Sequence, residues 1–277
     1  MSAPWSDRPP GAVAFSPGRV WAMLLRYLYI LRSSWPRTLE LLYWPTLQVL
    51  IWGFMSQFLY RNSSYVARAF GVLLGAVMLW DMLFRSQLGL SISFLEEMWS
   101  RNLGHLFVTP LRAYEWVISL LAMSVIRVAI GVVPAALLAI PLYDYSIFAM
   151  GLPLVAFVVV LMGMGWALGL AICGLILRHG MGAESLAWTI IFALSPISCV
   201  YYPVTTLPAW LQPVAWCLPQ TYVFEGMRAV LFSGTFRTDY FFEAAALDLL
   251  YLGLGVTIFF IAFRNARHRG ALLQMGE

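Results

Sequence analysis

Lysine is absent from the 277-residue chain, so all 17 of its basic residues are arginines. The phosphate-binding loop of an ATPase needs a lysine on the β- and γ-phosphates of its nucleotide. This absence therefore excludes an ATP site of that kind within the chain. The apolar stretches also lack a cluster of acid, base and nucleophile at helical spacing, so we expect no catalytic residue and no enzyme.

Charged residues of either sign are scarce, because Asp, Glu and Arg together form 11% of the chain whereas 61% is hydrophobic. A soluble domain carries roughly 25% charged residues. This composition excludes a soluble domain and predicts one integral membrane domain over residues 1–277, with membrane lipid as its solvent. The arginines are scattered rather than clustered on one face, so nucleic acid is not an expected partner.

Cysteine and histidine are rare as well, with three residues of each. Their number and apolar settings predict neither a disulfide framework nor a metal site. A free cysteine in such a setting usually packs as a small hydrophobic residue. A bridge between Cys199 and Cys217 outside the cytoplasm stays open as a minor alternative.

Six apolar stretches are long enough to cross the hydrocarbon core of a bilayer, which takes about 20 helical residues. They cover residues 41–60, 69–95, 116–142, 147–177, 185–202 and 241–263. The predicted fold class is therefore all-α, a polytopic membrane protein with six transmembrane helices. The fourth stretch carries no charge and is rich in Gly and Ala, which permit close helix packing in lipid.

The arginines also predict the orientation, because cytoplasmic loops carry an excess of basic residues. With six spans, most arginines fall on the side that holds both termini, which we therefore expect to be cytoplasmic. These are Arg8, Arg19, Arg26, Arg32, Arg37, Arg101, Arg112, Arg178, Arg264, Arg267 and Arg269, against Arg61, Arg68 and Arg237 on the other side.

Two segments outside the spans have recognisable patterns. Residues 17–35 begin with a serine-proline helix start and place Arg19 and Arg26 on one face, which predicts a helix lying in the membrane interface. Residues 205–235 are apolar but contain three prolines within twelve residues. We expect two short helical pieces there that re-enter the outer leaflet without crossing it.

The loop over residues 96–112 lies between the second and third spans. Glu97 and Arg101 are four residues apart, which favours a short helix, and Thr109 with Pro110 ends it. A helix tied to two spans can serve as a handle for a cytoplasmic partner. An ordinary capped loop remains an equal alternative on spacing alone.

Charged residues within spans are candidates for function. Counted from the cytoplasmic helix ends, Asp81 and Arg127 reach the same depth of roughly 20 Å. We predict an interhelical ion pair between them, with Arg85 sharing the carboxylate, and favour a packing role over a substrate contact. Glu225 and Arg228 are three residues apart and can form a local pair.

Two segments resemble those of type-2 ATP-binding cassette (ABC) exporter permeases. The first is EEMWSRNLGHLFVTPLRAYEWV from Glu96, and the second, more specific one is ALSPISCVYYPVTTLPAWLQPVAWCLPQTYVFEGMRAVLF from Ala193. In that family an acidic coupling helix before a Thr-Pro-like turn docks on the ATPase. The second segment there has the pattern P-x-x-x-LP-x-W-x-Q-x-x-A-x-x-x-P and precedes the last span. The resemblance covers nearly the whole chain.

The resemblance implies a homodimeric permease that pairs with two copies of a separate ATPase. That ATPase would bind ATP and Mg²⁺, while this chain binds no cofactor and no metal. The ATPase contact would be formed by Glu96, Glu97, Arg101 and Leu106. The outer gate would be formed around Tyr201, Tyr202, Trp210, Trp216, Tyr222, Glu225 and Arg228.

The expected function is the transmembrane subunit of an ATP-driven exporter in the bacterial inner membrane. Its substrate would be amphipathic or hydrophobic, such as a lipid, a glycan or glycolipid, or a drug. The alternative is a proton-coupled secondary transporter that uses Asp81, Arg127 and Asp248 as a relay. Such transporters usually carry internal repeats, and the sequence shows none.

Overall fold

The computed structural model describes residues 15–62 and 70–268, and within these ranges the secondary structure is helical without strands. Ten α-helices occur in this described part. They are α1 (Pro17–Ser33), α2 (Trp35–Asn62), α3 (Phe70–Trp99), α4 (Leu103–Val108), α5 (Ala113–Tyr143), α6 (Leu152–His179), α7 (Leu186–Ile197), α8 (Gln212–Trp216), α9 (Pro219–Ser233) and α10 (Thr238–His268). Short 3₁₀ turns lie at Ile147–Met150, Met181–Ala183 and Val204–Thr206.

Prolines mark where several helices begin. α1 starts at Pro17 and α9 at Pro219, and α8 has Pro213 in its first turn. Proline suits these positions because the first backbone N–H groups of a helix have no intrahelical partner. The segment expected to re-enter the membrane at residues 205–235 therefore contains two helices, α8 and α9, as its prolines predict. In the segment 17–35, where an interfacial helix was expected, α1 ends at Ser33 and α2 begins at Trp35.

Four helices of the described part are long and apolar enough to cross a membrane. They cover Gly71–Trp99, Ala113–Tyr143, Leu152–His179 and Thr238–His268. α2 has 28 residues but is less apolar, and α7 has only 12. The chain is thus a helical protein with several helices able to span a membrane.

α3 is the central helix of the bundle, since 83% of its most apolar window is buried by the rest of the chain. α2, α5, α6, α7 and α9 all pack on it, while α10 packs on α6. Glycines make these contacts close. A Cβ atom at Gly165 of α6 would collide with Ser86 of α3, and one at Gly255 of α10 would collide with the backbone of Ala167 on α6. α3 is therefore in place to position side chains against most of the other helices.

Candidate functional site: a carboxylate-anchored helix unit and a charged cavity

One end of the bundle holds α1 and α4 and is called the α4 end below. It is built around three buried carboxylates, of which Glu97 is the first. Glu97 lies near the end of α3 and pairs with Arg26 of α1 at 2.7 Å. Its carboxylate also accepts a 2.8 Å hydrogen bond from the side chain of Asn102, directly before α4. One buried side chain therefore connects α1, α3 and the start of α4.

Glu96 connects a further set of helices. Its carboxylate accepts hydrogen bonds from Arg37 of α2 at 3.1 Å and from Arg127 of α5 at 3.2 Å. The side chains of Glu96 and Arg127 are each 7% exposed, so their attraction is only weakly screened by water. This carboxylate holds α2 and α5 against the end of α3.

Glu115, in the first turn of α5, fastens the beginning of α1. Its buried carboxylate accepts hydrogen bonds from the backbone N–H of Ser16 at 3.0 Å and from Nη2 of Arg19 at 2.6 Å. It also accepts the backbone N–H of Arg112, which caps α5. The hydrogen bond from Arg19 to Glu115 raises the pKa of the Arg19 guanidinium. Sequence reasoning missed Glu115, whose one signal is its place as the acid three residues after a helix cap.

An aromatic contact completes the attachment of α1. The indole N–H of Trp116 donates to the hydroxyl of Tyr27 at 2.9 Å, and both side chains are fully buried. Burial raises the pKa of the Tyr27 hydroxyl. The ring of Trp116 also packs on Phe94 of α3, with centroids 5.4 Å apart. Residues 17–33, 96–109 and 112–116 are together called the α1–α4 unit below.

The α1–α4 unit corrects three of the contacts expected with an ATPase. The side chains of Glu96, Glu97 and Leu106 are buried within the chain, and arginines of the same chain bind both carboxylates. They are therefore not available to a second protein. Of the predicted contact set, Arg101 alone is exposed, at the turn between α3 and α4. Among the side chains of residues 96–112 that the structure describes, the exposed ones are those of Trp99, Ser100, Arg101, His105, Thr109 and Pro110.

Asp81 and Arg127 do not form the predicted interhelical ion pair. Asp81 accepts a 2.6 Å hydrogen bond from Nε of Arg85, the arginine four residues later that was expected to share its carboxylate. Arg127 is bound by Glu96, as described above. The structure therefore replaces one expected pair between helices by two separate pairs.

The reason for this correction is the length of α3. The predicted depth assumed that the helix ends at Leu95, but it continues to Trp99, which raises the Asp81 carboxylate by about 6 Å relative to α5. Gly131 of α5 is the residue that lies beside Arg85. Arg127, one turn earlier on α5, is thereby closer to the α4 end.

A cavity of about 490 Å³ runs along one face of α3, between α2 and α7. On α3 its lining residues recur every three or four positions from Val77 to Trp99, over about 33 Å of helix. Seven charged side chains line it, namely Arg37, Glu40, Asp81, Arg85, Glu96, Arg127 and Glu184. Sequence reasoning had not connected Glu40 or Glu184 to the other charges.

At the opposite end of the bundle, Arg228 of α9 organises the chain after α7. Its Nη2 group donates to the carbonyl oxygens of Cys199, of Val200 at 3.0 Å and of Tyr202 at 2.7 Å. Burial lowers the pKa of the Arg228 guanidinium, and the neighbouring Glu225 opposes that shift. One arginine thus donates to three backbone carbonyl groups within residues 199–202.

Glu225 completes this arrangement, which is called the Arg228 corner below. Its carboxylate lies 3.2 Å from Nη1 of Arg228, in the pair that their spacing predicts. It also accepts the backbone N–H of Val204 at 2.7 Å. Next to it, Gln220 donates from its side chain to the hydroxyl of Ser198 at 3.0 Å. The segment between α7 and α9 is thereby held by side chains of α9.

The aromatic residues expected at the outer gate lie in separate places. Tyr201 stacks on Trp52 of α2 with centroids 4.7 Å apart, and it lines the cavity. Trp216 packs on Tyr222 at 4.8 Å. Trp210 is 74% exposed. The hydroxyl of Tyr202 donates to the carbonyl oxygen of Pro196. These side chains therefore do not converge on one aromatic surface.

The cysteines are free thiols, so the minor alternative of a bridge between Cys199 and Cys217 is not present in the structure. Cys199 is buried and Cys217 is exposed. Within residues 15–62 and 70–268, no group of three or more His, Cys, Asp or Glu side chains is placed to hold a metal ion.

A family model described as ABC2_membrane, ABC-2 type transporter, matches residues 20–232, which is more than half of the chain. No curated protein matches the sequence. The matched range includes the α1–α4 unit except its residues 17–19, the charged cavity and the Arg228 corner.

Proposed function

Because the chain belongs to the ABC-2 type transporter family, whose members are the transmembrane components of ABC transporters, we propose that it is the permease of an exporter. The proposed cargo is an amphipathic or hydrophobic molecule that crosses a bacterial inner membrane. Family membership implies an ATP-binding cassette partner that hydrolyses ATP. We propose two copies of that partner, each with ATP and Mg²⁺, and two copies of this chain that form a homodimer.

The proposed topology has six spans, at α2, α3, α5, α6, α7 and α10. The distribution of arginines supports a cytoplasmic location for both termini, and hence for the α4 end. α2 extends over about 42 Å, which is enough for a span, whereas the 12 residues of α7 give about 18 Å. Since α7 alone is shorter than the hydrocarbon core, the proposed fifth span consists of α7 together with the turns at its two ends. In this orientation the Arg228 corner faces the outside.

The observation that carries the proposal beyond family membership is the way in which α4 is attached. Glu97 joins its start to α1 and α3, and Glu96 joins the same end of α3 to α2 and α5. The pair of Glu96 with Arg127 is buried on both sides, and because removing one partner of such a pair is costly, α3 and α5 tend to move together. A push on α4 by the ATPase is therefore transmitted to the helices that line the cavity.

The alternative of a proton-coupled transporter needs a relay through Asp81, Arg127 and Asp248. These groups have separate neighbours, since Asp81 pairs with Arg85 and Arg127 pairs with Glu96. Asp248 lies at the contact of α10 with α6. This separation favours the ATP-driven mechanism.

A photo-crosslinking residue in place of His105 tests the proposal. His105 is exposed on α4, away from the buried carboxylates. We expect illumination of native membranes to join the permease to an ATP-binding cassette subunit, which mass spectrometry of the crosslinked band identifies. Co-purification should recover the two proteins in equal amounts.

Phe242 offers the matched control. It is 69% exposed near the start of α10, at the opposite end of the bundle. The same crosslinker there should not capture the ATPase. Capture at both positions, or absence of the ATPase at His105, contradicts the proposed contact.

A further inference from the structure

The cavity along α3 contains hydrogen-bond donors that the protein does not use. Arg85 and Arg127 both line it, with side chains 8% and 7% exposed. Within the described part of the chain, the hydrogen bond of Arg85 runs from Nε to Asp81, which leaves its two terminal amino groups without a protein partner. Arg127 gives one amino group to Glu96, and its buried Nε has no hydrogen-bond partner.

The unused donors of Arg85 and Arg127, of which Nε of Arg127 is buried, indicate what the cavity can bind. A buried polar group that lacks a hydrogen bond costs free energy, and a charged group costs more. The guanidinium group presents several N–H donors in a planar fork that matches the oxygen atoms of a carboxylate or phosphate. Arg85 and Arg127 therefore favour an oxyanion as their missing partner.

The buried charges along the cavity balance, because Arg85 and Arg127 are matched by Asp81 and Glu96, so unused N–H donors rather than net charge favour an anionic ligand at this depth. The buried carboxylates are those of Asp81 and Glu96, and Glu96 is shared between Arg127 and Arg37. The other two acids of the lining, Glu40 and Glu184, lie at the α4 end, where Glu40 is exposed and Glu184 is half-buried. Water and salt screen these outer charges more than the buried ones. The middle of the cavity thus has a surplus of donors.

Apart from the carboxylate of Asp81, which is paired with Arg85, the wall next to these arginines is apolar. From Arg85 towards the Arg228 corner the cavity is lined by Val77, Trp80, Phe84, Phe192 and Tyr201. The eight residues of α3 between Arg85 and Val77 correspond to about 12 Å. Side chains of this kind bind hydrocarbon because contact with them removes apolar surface from water.

We infer that the cavity binds an amphiphile with one oxyanion headgroup, a carboxylate or a phosphate, held between Arg85 and Arg127. Its hydrocarbon part lies along α3 against the apolar wall. As an account of the transported substrate this inference rests on the proposed function. The binding itself requires only this chain, so it can be measured without the ATPase.

The test uses the full-length chain in nanodiscs of neutral lipid, with radiolabelled dodecanoate, dodecyl phosphate and dodecyltrimethylammonium as probes. Empty nanodiscs of the same lipid correct for partition into the bilayer. We expect saturable binding of the anionic probes and none of the cationic probe. Binding of only one anion identifies the headgroup as a carboxylate or a phosphate, and either result supports the inference.

Two substitutions with opposite expected signs separate recognition from structural damage. Arg127→Gln should weaken binding about tenfold to hundredfold, as expected for loss of a charged hydrogen-bond partner. Asp81→Asn removes the carboxylate that competes for Arg85 and should strengthen binding. Thermal unfolding in the same nanodiscs must also show that Arg127→Gln keeps its fold, because this substitution removes a partner of the buried Glu96. Arg237→Gln, exposed and remote from the cavity, should bind as the unsubstituted chain does.

Three results would overturn the inference: no saturable binding, preference for the cationic probe, or equal binding by the unsubstituted chain and Arg127→Gln. None of them bears on the capture of an ATPase at His105, which depends on a different surface. Conversely, failure of that capture would leave a measured oxyanion site in place. The two proposals can therefore fail separately.

Discussion

Replacing Arg228 by alanine is expected to lower the free energy of unfolding by about 3–5 kcal/mol, the usual cost of removing one partner of a buried ion pair. The substitution leaves Glu225 without its cation and three backbone carbonyls without their donor. Those carbonyls belong to the segment that joins α7 to the following helices, and among the described residues no other side chain donates a hydrogen bond to them. The segment should therefore lose its fixed conformation.

Thermal unfolding in detergent measures the stability of this variant, and the thiol of Cys199 reports the local structure. Cys199 is fully buried, so it should resist a maleimide reagent until Arg228 is removed. The experiment is done with Cys217→Ser, because Cys217 is exposed and would react in every sample.

Arg237→Ala is the matched control for this prediction. Arg237 and Asp239 are about half exposed, and exposed pairs contribute at most about 1 kcal/mol. Arg228→Lys keeps the charge but not the fork of donors, so it should fall between the two. If Arg228→Ala is as stable as Arg237→Ala and Cys199 stays protected, the Arg228 corner does not hold the segment.

Gly255→Ala is expected to destabilise the protein by about 1–3 kcal/mol, as overpacking of a tight contact does. A methyl group at Gly255 of α10 would lie 2.4 Å from the carbonyl oxygen of Ala167 on α6. These atoms belong to the backbone and cannot move aside as a flexible side chain could. The two helices would have to separate, and they would lose packing that drives helix association in lipid.

Gly253, two residues earlier on α10, provides a stringent control. A methyl group there meets no atom within 4 Å. Gly253→Ala should stabilise the helix by up to about 1 kcal/mol, because alanine has the higher helix propensity. The two variants change the same helix by the same atoms and should shift the unfolding temperature in opposite directions. Similar shifts would mean that the contact of α10 with α6 is looser than the structure has it.

Much of the helical architecture could be predicted from the sequence, because long apolar stretches and helix-starting prolines are local signals. The end of α3 could not. Glu96 and Glu97 were interpreted as part of a loop since charged residues usually lie in water. Arginines from α1, α2 and α5 bury and neutralise them, and so the helix continues to Trp99.

The same distinction between local and long-range signals applies to the candidate site. Contacts between residues three or four apart, such as that of Glu225 with Arg228, follow from helical periodicity. Contacts between helices depend on their relative height, which the sequence does not contain. An error of one turn in α3 was enough to assign the wrong partner to Arg127. Glu115 was missed because its partner Arg19 lies 96 residues away.

The attachment of α1 has a consequence for the order in which the chain matures. α1 is synthesised before its partners Glu97 and Glu115, which come 71 to 99 residues after the groups that they bind. At about 5–20 residues per second, this delay lasts about 4–20 s. During that time α1 has its exposed Trp21 and Tyr29 available for the membrane surface. α1 is thus fixed only after α3 and the start of α5 have been made.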